Sequence, residues 1–376
     1  MTMRVGLIGC GNISDIYLTN AALFGDFSFT ACADLRDEAA KRQAERYKIA
    51  HRSVKELLSS DDVDIVLNLT VPEAHAEVAL AAIEAGKHVY GEKPLATTLA
   101  EGRRVIAAAK AKKLRVGTAP DTVLGASHQA VKALVDSGKA GNILSGLAAF
   151  QSHGMEHWHP NPDFFFRPGA GPVFDMGPYY LTALATLLGP VSHVQATARI
   201  GFAERTVTTP GSPMLGEKIK VTTPTTVHGL LEFESGAEIA YVTSWDVWRH
   251  SVRPIELHGE QASLRVPDPN FFGGLVEIAE GRADWAPVDA PGRFGKPNWP
   301  KDKPVHANYR GLGLADMARA IADQRPHRAN GELSLHVLAV MAGLLEAANE
   351  GKRVKIAETC ERPAALADVE ARALLR

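Results

Sequence analysis

Val5-Gly6-Leu7-Ile8-Gly9-Cys10-Gly11-Asn12-Ile13-Ser14 stands a few residues into the chain. An apolar, strand-like run from Arg4 to Ile8 passes directly into two glycines one residue apart, and a helical pattern follows to about residue 22. A strand, a glycine turn and a helix in this order form a phosphate-binding element. The first glycine permits the tight turn, the second lets the backbone approach a pyrophosphate, and the helix aims its N-terminal amides and positive dipole end at the phosphates. Ser14 occupies the third position of the pattern, where Gly or Ala is usual. Asn12 and Ile13 complete the turn, so Gly9, Gly11, Asn12 and Ile13 are candidate cofactor contacts.

Working outward, Phe27 to Ala33 reads as a second strand and ends at Asp34, 25 residues after Gly9. A carboxylate there can accept hydrogen bonds from an adenosine ribose diol and repels a 2′-phosphate, which favours NAD over NADP. Arg36 is the opposing signal, since an arginine at that edge can reach a phosphate. Further apolar runs at 64–69, 88–90 and 115–117 alternate with helical patterns at 37–47, 75–85 and 99–112. Near-continuous apolar strands alternating with helices predict a doubly wound parallel sheet covered on both faces. This α/β Rossmann-type unit is expected over residues 1–122.

The pattern then changes. Helices are expected at 125–136 and 173–188, and strands at 143–150, 191–200, 225–233, 237–245, 254–258 and 263–266, with hairpin-type turns at Glu234-Ser235-Gly236 and Gly259-Glu260. A second α/β domain with a large, mostly antiparallel open sheet is expected over 123–376. Five prolines between 286 and 304 argue against regular structure there, and helices return at 313–323 and 332–348.

Composition narrows the function. Lys and Arg number 41 against 43 Asp and Glu, a formal net charge of -2, so no electrostatic footprint for nucleic acid exists. No apolar run approaches the roughly 18 residues of a membrane span. Cys10, Cys32 and Cys360 are odd in number and fit no metal spacing. The first strand begins almost at once, without a signal peptide. These features lead to an expectation of a cytoplasmic protein without partners among membranes or nucleic acids.

Glu92-Lys93-Pro94 lies just past the fourth predicted strand. Ligands of open α/β sheets bind outside the carboxyl strand ends, so Lys93 faces the crevice. There its ammonium can hydrogen-bond a substrate hydroxyl and stabilise a developing alkoxide; a surface ion pair is the plainer alternative. On the helix expected at 173–188, Asp175 and Tyr179 are four residues apart and share a face.

The chain resembles the glucose-fructose oxidoreductase, inositol dehydrogenase and MocA superfamily. The residues carrying the resemblance are GCGNIS, Asp34, TVPEAH (70–75), AAIEAGKHVYGEKPLA (81–96), GAGPVFDMGPYY (169–180) and the closing stretch from NGELSLHVL to GKRVKI. The resemblance implies a Rossmann domain for a nicotinamide cofactor, a second domain used for oligomerisation as a homodimer or homotetramer, and a substrate between them. It implies hydride transfer between nicotinamide and a sugar, sugar derivative or cyclic polyol. Thr70, Pro72 and His75 would line the nicotinamide half, and Glu92 and Lys93 would flank the reaction centre. Asp-Met-Gly-Pro-Tyr departs from the commoner Asp-to-His spacing and is similar to the branch with a tyrosine at the proton-transfer position. Lys93 and Tyr179 would then hold the reacting oxygen, Tyr179 would pass the proton, and Asp175 would orient Lys93 or the substrate. Two other readings stay open: a glycoside-cleaving enzyme that oxidises transiently and regenerates NAD, and a non-catalytic dinucleotide-sensing regulator.

His153, His157 and His159 cluster in QSHGMEHWHPNP. A zinc reading is weighed against a binding wall, and the wall is preferred: His153, His157 and Trp158 would hydrogen-bond and stack on a sugar, with Arg167 reaching a hydroxyl or carboxylate or pairing with an acidic neighbour. No metal is expected. Cys10 is read as packing beneath the phosphate turn.

Overall fold

The computed structural model describes residues 2–376. The first unit holds strands β1 (Met3–Ile8), β2 (Phe27–Ala33), β3 (Ala50–His51), β4 (Ile65–Asn68), β5 (His88–Gly91) and β6 (Val116–Thr118). All pair in parallel, in the order β3-β2-β1-β4-β5-β6. The central strands are buried on both faces; every residue of β4 is buried. Helices α1 (Ser14–Asn20), α2 (Asp37–Tyr47), α3 (Val54–Ser59), α4 (His75–Glu84) and α5 (Leu99–Ala111) connect them. The order reverses between β1 and β4, and that switch point opens a crevice at the carboxyl ends.

The sequence reading missed β3 and α3. Ser53 and Glu56 cap α3 reciprocally, the Ser53 hydroxyl accepting from the Glu56 amide and the Glu56 carboxylate from the Ser53 amide. That Ser-x-x-Glu spacing is a helix-start signal which the short apolar content around it concealed.

The second unit contains α6 (Ala126–Asp136), β7 (Ile143–Gln151), α7 (Gly171–Leu188), β8 (Val191–Arg199), β9 (Glu204–Thr206), β10 (Lys218–Lys220), β11 (Thr226–Phe233), β12 (Glu238–Ser244), β13 (Ile255–Gly259), β14 (Ala262–Val266), β15 (Val276–Glu280), β16 (Ala286–Val288) and β17 (Val354–Lys355). Nine of these strands form one sheet in the order β16-β15-β14-β13-β7-β12-β11-β8-β17, and β9 pairs with β10 separately. The sheet is antiparallel except where β12 runs parallel to β7. The expectation of an irregular stretch from 286 needs correction: Pro287 sits in β16, at the sheet edge, where a strand needs only one partner's hydrogen bonds.

Helices α8 (Leu312–Ala322), α9 (Gly331–Glu350) and α10 (Asp368–Ala373) follow. The chain here returns to the first unit: α8 lies against β2 and β6, and α9 packs on α5, α7, β6 and β8. By length and composition α9 alone among the described residues is apolar enough to cross a membrane, which the reading of the sequence had not recognised. Its contacts with both sheets explain that composition, since a helix apolar on most sides is accommodated by burial on most sides.

Candidate active site

The phosphate turn is shaped by steric necessity. Gly9 has φ +101°, and a Cβ there would stand 2.5 Å from the Leu69 carbonyl carbon and oxygen. A Cβ on Gly11 would meet nothing within 4 Å, so the turn opens onto free space. Helix α1 begins without a side-chain cap, and its first amide, of Ser14, donates to the Gly11 carbonyl at 3.1 Å. Asn12 is exposed and Ile13 half-buried on the same turn. Beneath it, the buried Cys10 thiol donates to the Ala33 carbonyl at 3.6 Å.

Asp34 leaves the end of β2 with its carboxylate fixed at both oxygens. The Cys10 amide donates to Oδ2 at 2.7 Å and the Arg36 amide to Oδ1 at 2.8 Å. The Arg36 guanidinium lies 3.8 Å from Oδ1 and is 77% exposed. Two apolar side chains stand open at this edge, Leu35 at 97% and Val71 at 64% exposure. Large exposed apolar groups beside a crevice mark surface that a flat ligand can cover.

Thr70 and Pro72 follow β4, and Pro72 opens the short turn into α4. His75 is buried; its Nδ1 lies 2.7 Å from the Pro94 carbonyl oxygen and its Nε2 3.1 Å from the Thr70 carbonyl oxygen. The ring ties the turn after β4 to the turn after β5. Burial pushes its pKa down against the two carbonyls that favour the cation. Glu92 accepts from the Tyr17 hydroxyl at 2.8 Å and from the Lys93 amide at 3.1 Å. The Lys93–Pro94 peptide is cis.

Lys93 crosses to the second unit. Its Nζ donates to Asp175 Oδ1 at 2.8 Å and to the Asp175 carbonyl oxygen at 2.7 Å. Burial disfavours its charge, but Asp175, Tyr179 and Glu92 together outweigh burial and hold the Lys93 pKa above the usual lysine range. Lys93 is therefore an ammonium at neutral pH. It lies 5.3 Å from the centre of the Tyr179 ring, within the range of a cation–π contact. Asp175 is the one residue of α7 that is not buried. In a helix otherwise enclosed, a part-open carboxylate facing a lysine is the polar break in the apolar packing.

The structure also brings in two residues absent from the sequence reading. Arg310 donates to the Tyr179 hydroxyl oxygen at 3.4 Å and to Asn308 Oδ1 at 3.1 Å. Asp121 Oδ2 accepts the amides of Gly311 at 3.1 Å and Gly313 at 2.9 Å, and burial pushes its carboxyl pKa up to about 6. Arg310 follows a proline-rich, weakly patterned stretch and carries no local motif, so sequence had no means of linking it to Tyr179.

The histidine segment is more structural than expected. Arg205, from β9, donates to Glu156 Oε1 at 2.8 Å, to the His153 carbonyl at 3.1 Å and to the Trp245 carbonyl at 2.9 Å, and pairs with Asp246 Oδ1 at 2.5 Å. This buried arginine anchors the loop. His153 stacks on Trp248, which is 81% exposed, whereas Trp245 is fully buried. His157 and Trp158 are exposed. Arg167 pairs with Asp163, with its side chain 65% exposed. His159, half-buried, is the loop histidine close enough for the Asp175 charge to act on it, although burial dominates and lowers its pKa. Among the described residues, no three His, Cys, Asp or Glu side chains converge as a metal site.

Comparison with known proteins identifies the family and the fold. Residues 3–119 match the oxidoreductase family with an NAD-binding Rossmann fold, and residues 128–265 match the GFO/IDH/MocA C-terminal domain. A 1,5-anhydro-D-fructose reductase of Ensifer adhaerens is 35% identical over 366 residues, 94% of this chain and 98% of that protein. A myo-inositol 2-dehydrogenase of Thermotoga maritima is 30% identical over 141 residues, 37% of this chain and 42% of that protein, so the chain spans less than half of it. A levoglucosan dehydrogenase structure superposes with a TM-score of 0.82 at 22% identity, covering 96% of this chain and 100% of that one. The same enzyme in complex with NADH and levoglucosan gives 0.80. At such identity the superposition speaks for the fold. The chain belongs to the GFO/IDH/MocA family of NAD-binding oxidoreductases, whose relatives here are sugar and polyol dehydrogenases and reductases.

Proposed function

We propose that this protein transfers a hydride between NAD and a carbinol carbon of a sugar, sugar derivative or cyclic polyol, with Lys93, Asp175 and Tyr179 as its catalytic residues. The observation that carries the reading is the Lys93 ammonium bonded to Asp175 at 2.8 Å, beside the Tyr179 ring, at the carboxyl edge of the parallel sheet. Gly9, Gly11, Asn12 and Ile13 would hold the pyrophosphate, Asp34 and Arg36 the adenosine ribose, and Thr70, Pro72, His75 and Glu92 the nicotinamide side. The open space over Gly11, the α1 N-terminus without a side-chain cap and the exposed Leu35 and Val71 fit a dinucleotide. Asp34 favours NAD over NADP, because a 2′-phosphate would meet its charge.

Bound nicotinamide supplies the acceptor or donor of the hydride. The chain's own residues manage the oxygen. Lys93 donates to it and stabilises negative charge that develops there. Tyr179 exchanges the proton at its hydroxyl. Asp175 keeps the ammonium charged and aimed. His153, His157, Trp158 and Arg167 form the outer wall toward the substrate in this reading. The wall's anchoring by Arg205 supports a shaped surface, while the Asp163 pairing requires Arg167 to swing before it contacts substrate.

Residues 1–122 serve as the nucleotide domain and 123–376 as the substrate and assembly domain. The open sheet of the second domain is suited to forming a homodimer or homotetramer, in a cytoplasmic setting. The test is a panel of sugars and polyols with NAD, read as NADH absorbance. Sustained NADH production with one or more of them is expected. Bound cofactor that cycles without net NADH would overturn the dehydrogenase reading.

A further inference from the structure

We propose that Arg310 is a positioning residue that orients the Tyr179 hydroxyl proton toward the substrate and stabilises the tyrosine oxygen as that proton leaves. The inference rests on Tyr179 being the proton-transfer group.

A guanidinium only donates hydrogen bonds. The Tyr179 oxygen, 3.4 Å from Arg310, must therefore accept there with a lone pair. Its own hydrogen is left to point elsewhere, and the Tyr179 hydroxyl makes no other hydrogen bond among the described residues. Arg310 has no carboxylate within ion-pairing distance among the described residues, and Asn308 Oδ1 at 3.1 Å is its other side-chain partner. Its direct side-chain partners are thus the neutral Asn308 amide and the Tyr179 phenol, with the Glu92 carboxylate acting on it from beyond ion-pairing distance. Burial disfavours the guanidinium charge, yet the neighbouring Tyr179, Glu92 and Tyr17 together hold its pKa above the usual arginine value.

The backbone around Arg310 is fixed from the nucleotide unit, which makes the side chain's aim a property of the whole cleft. Asn20 of α1 donates through Nδ2 to the carbonyls of Asn308 at 3.1 Å and Arg310 at 3.0 Å. Asp121 takes the amides of Gly311 and Gly313 on the far side. Gly311 has φ +102°, so the turn delivering Arg310 into the cleft requires glycine. A Cβ on Gly313 would stand 2.1 Å from the Tyr90 hydroxyl. Arg310 is thus held in place by Asn20 and Asp121 of the first unit while its side chain reaches Tyr179 on α7 of its own unit. Lys93, which crosses the cleft from the first unit, lies over the Tyr179 ring and bonds to Asp175. The two cations divide the work: Lys93 serves the substrate oxygen and Arg310 the tyrosine oxygen.

The experiment is a double-mutant cycle between Arg310 and Tyr179, with kcat, KM and cofactor Kd measured for R310Q, R310K, Y179F and Y179F/R310Q. R310Q is expected to lower kcat about 10–100-fold, the effect of losing one charge-assisted hydrogen bond, with KM and cofactor Kd changed less than about threefold. R310K, which keeps the cation, should recover much of the loss even if R310Q melts at lower temperature. Y179F/R310Q should be no slower than Y179F, because Arg310 acts through the lost hydroxyl. Additive losses in the cycle, or R310Q raising KM with kcat unchanged, would overturn the assignment of Arg310 and leave Tyr179 in place. If Y179F alone leaves kcat unchanged, the Tyr179 reading itself falls, and the Arg310 inference with it.

Discussion

Asp34 shows how one carboxylate is prepared for a ligand before the ligand arrives. Two backbone amides, of Cys10 and Arg36, already donate to its two oxygens. That fixes the side chain at the mouth of the cleft with its charge outward. In the proposed reading the same charge would favour NAD, because a 2′-phosphate would bring a second anion against it. Asp34→Ala is expected to shrink the NAD-over-NADP ratio of kcat/KM by about 10–100-fold, in line with like-charge repulsion of a few kcal/mol. Parallel initial-rate measurements with both cofactors decide it; an unchanged ratio would transfer the discrimination to other residues. The residues proposed as catalytic differ in how visible they were. Lys93 was legible from its place after a strand, and Tyr179 from its spacing to Asp175 together with the family likeness. Arg310 and Asp121 were not, because what they do depends on contacts 131 to 192 residues away in the chain.

At the level of elements, the long periodic segments were readable and the short ones were not. Strands β1, β2, β4, β5 and β6 and helices α2, α4 and α5 fall close to where apolar periodicity puts them. β3, with two exposed residues, and β17, with two residues, have no periodicity to read. The parallel pairing of β7 with β12 is a matter of topology, since the alternation along each strand is the same in either direction. The turn into α8 is an element whose stability should depend on pH. Burial raises the Asp121 carboxyl from 3.8 to about 6. A raised value means the protonated form favours the fold, so this group's contribution is complete below pH 3.8 and lost as pH rises through about 6. D121N keeps an oxygen to accept the Gly311 and Gly313 amides and does not titrate. Urea unfolding from pH 4 to 7 should show D121N gaining stability relative to the natural chain as pH rises, by up to about 3 kcal/mol. Parallel curves would contradict the buried-carboxyl account.

On the scale of the molecule, the second unit is not simply stacked behind the first. Helices α8 and α9 return to pack on the parallel sheet, and α9 touches both sheets at once. The two units therefore share a core, and the cleft between them is tied from both sides: Lys93 of the first reaches Asp175 of the second, and Asn20 and Asp121 of the first hold the turn that carries Arg310. This shared packing explains why an apolar helix long enough for a membrane lies instead inside a folded domain. The change from a parallel to a mostly antiparallel sheet was legible in the shift from alternating strand–helix pattern to successive strands. The return of the last helices was not, because nothing local in a helix says which sheet it will cover.

The central claim is that the Lys93 ammonium stabilises charge on a reacting alcohol oxygen, and K93M tests it most directly. Turnover of the best substrate from the panel and NADH affinity by fluorescence titration should be measured on the same preparations. The account predicts a kcat at least about 10³-fold lower with NADH affinity within about threefold of the natural protein; turnover within tenfold of the natural protein, at matched cofactor occupancy, would contradict it.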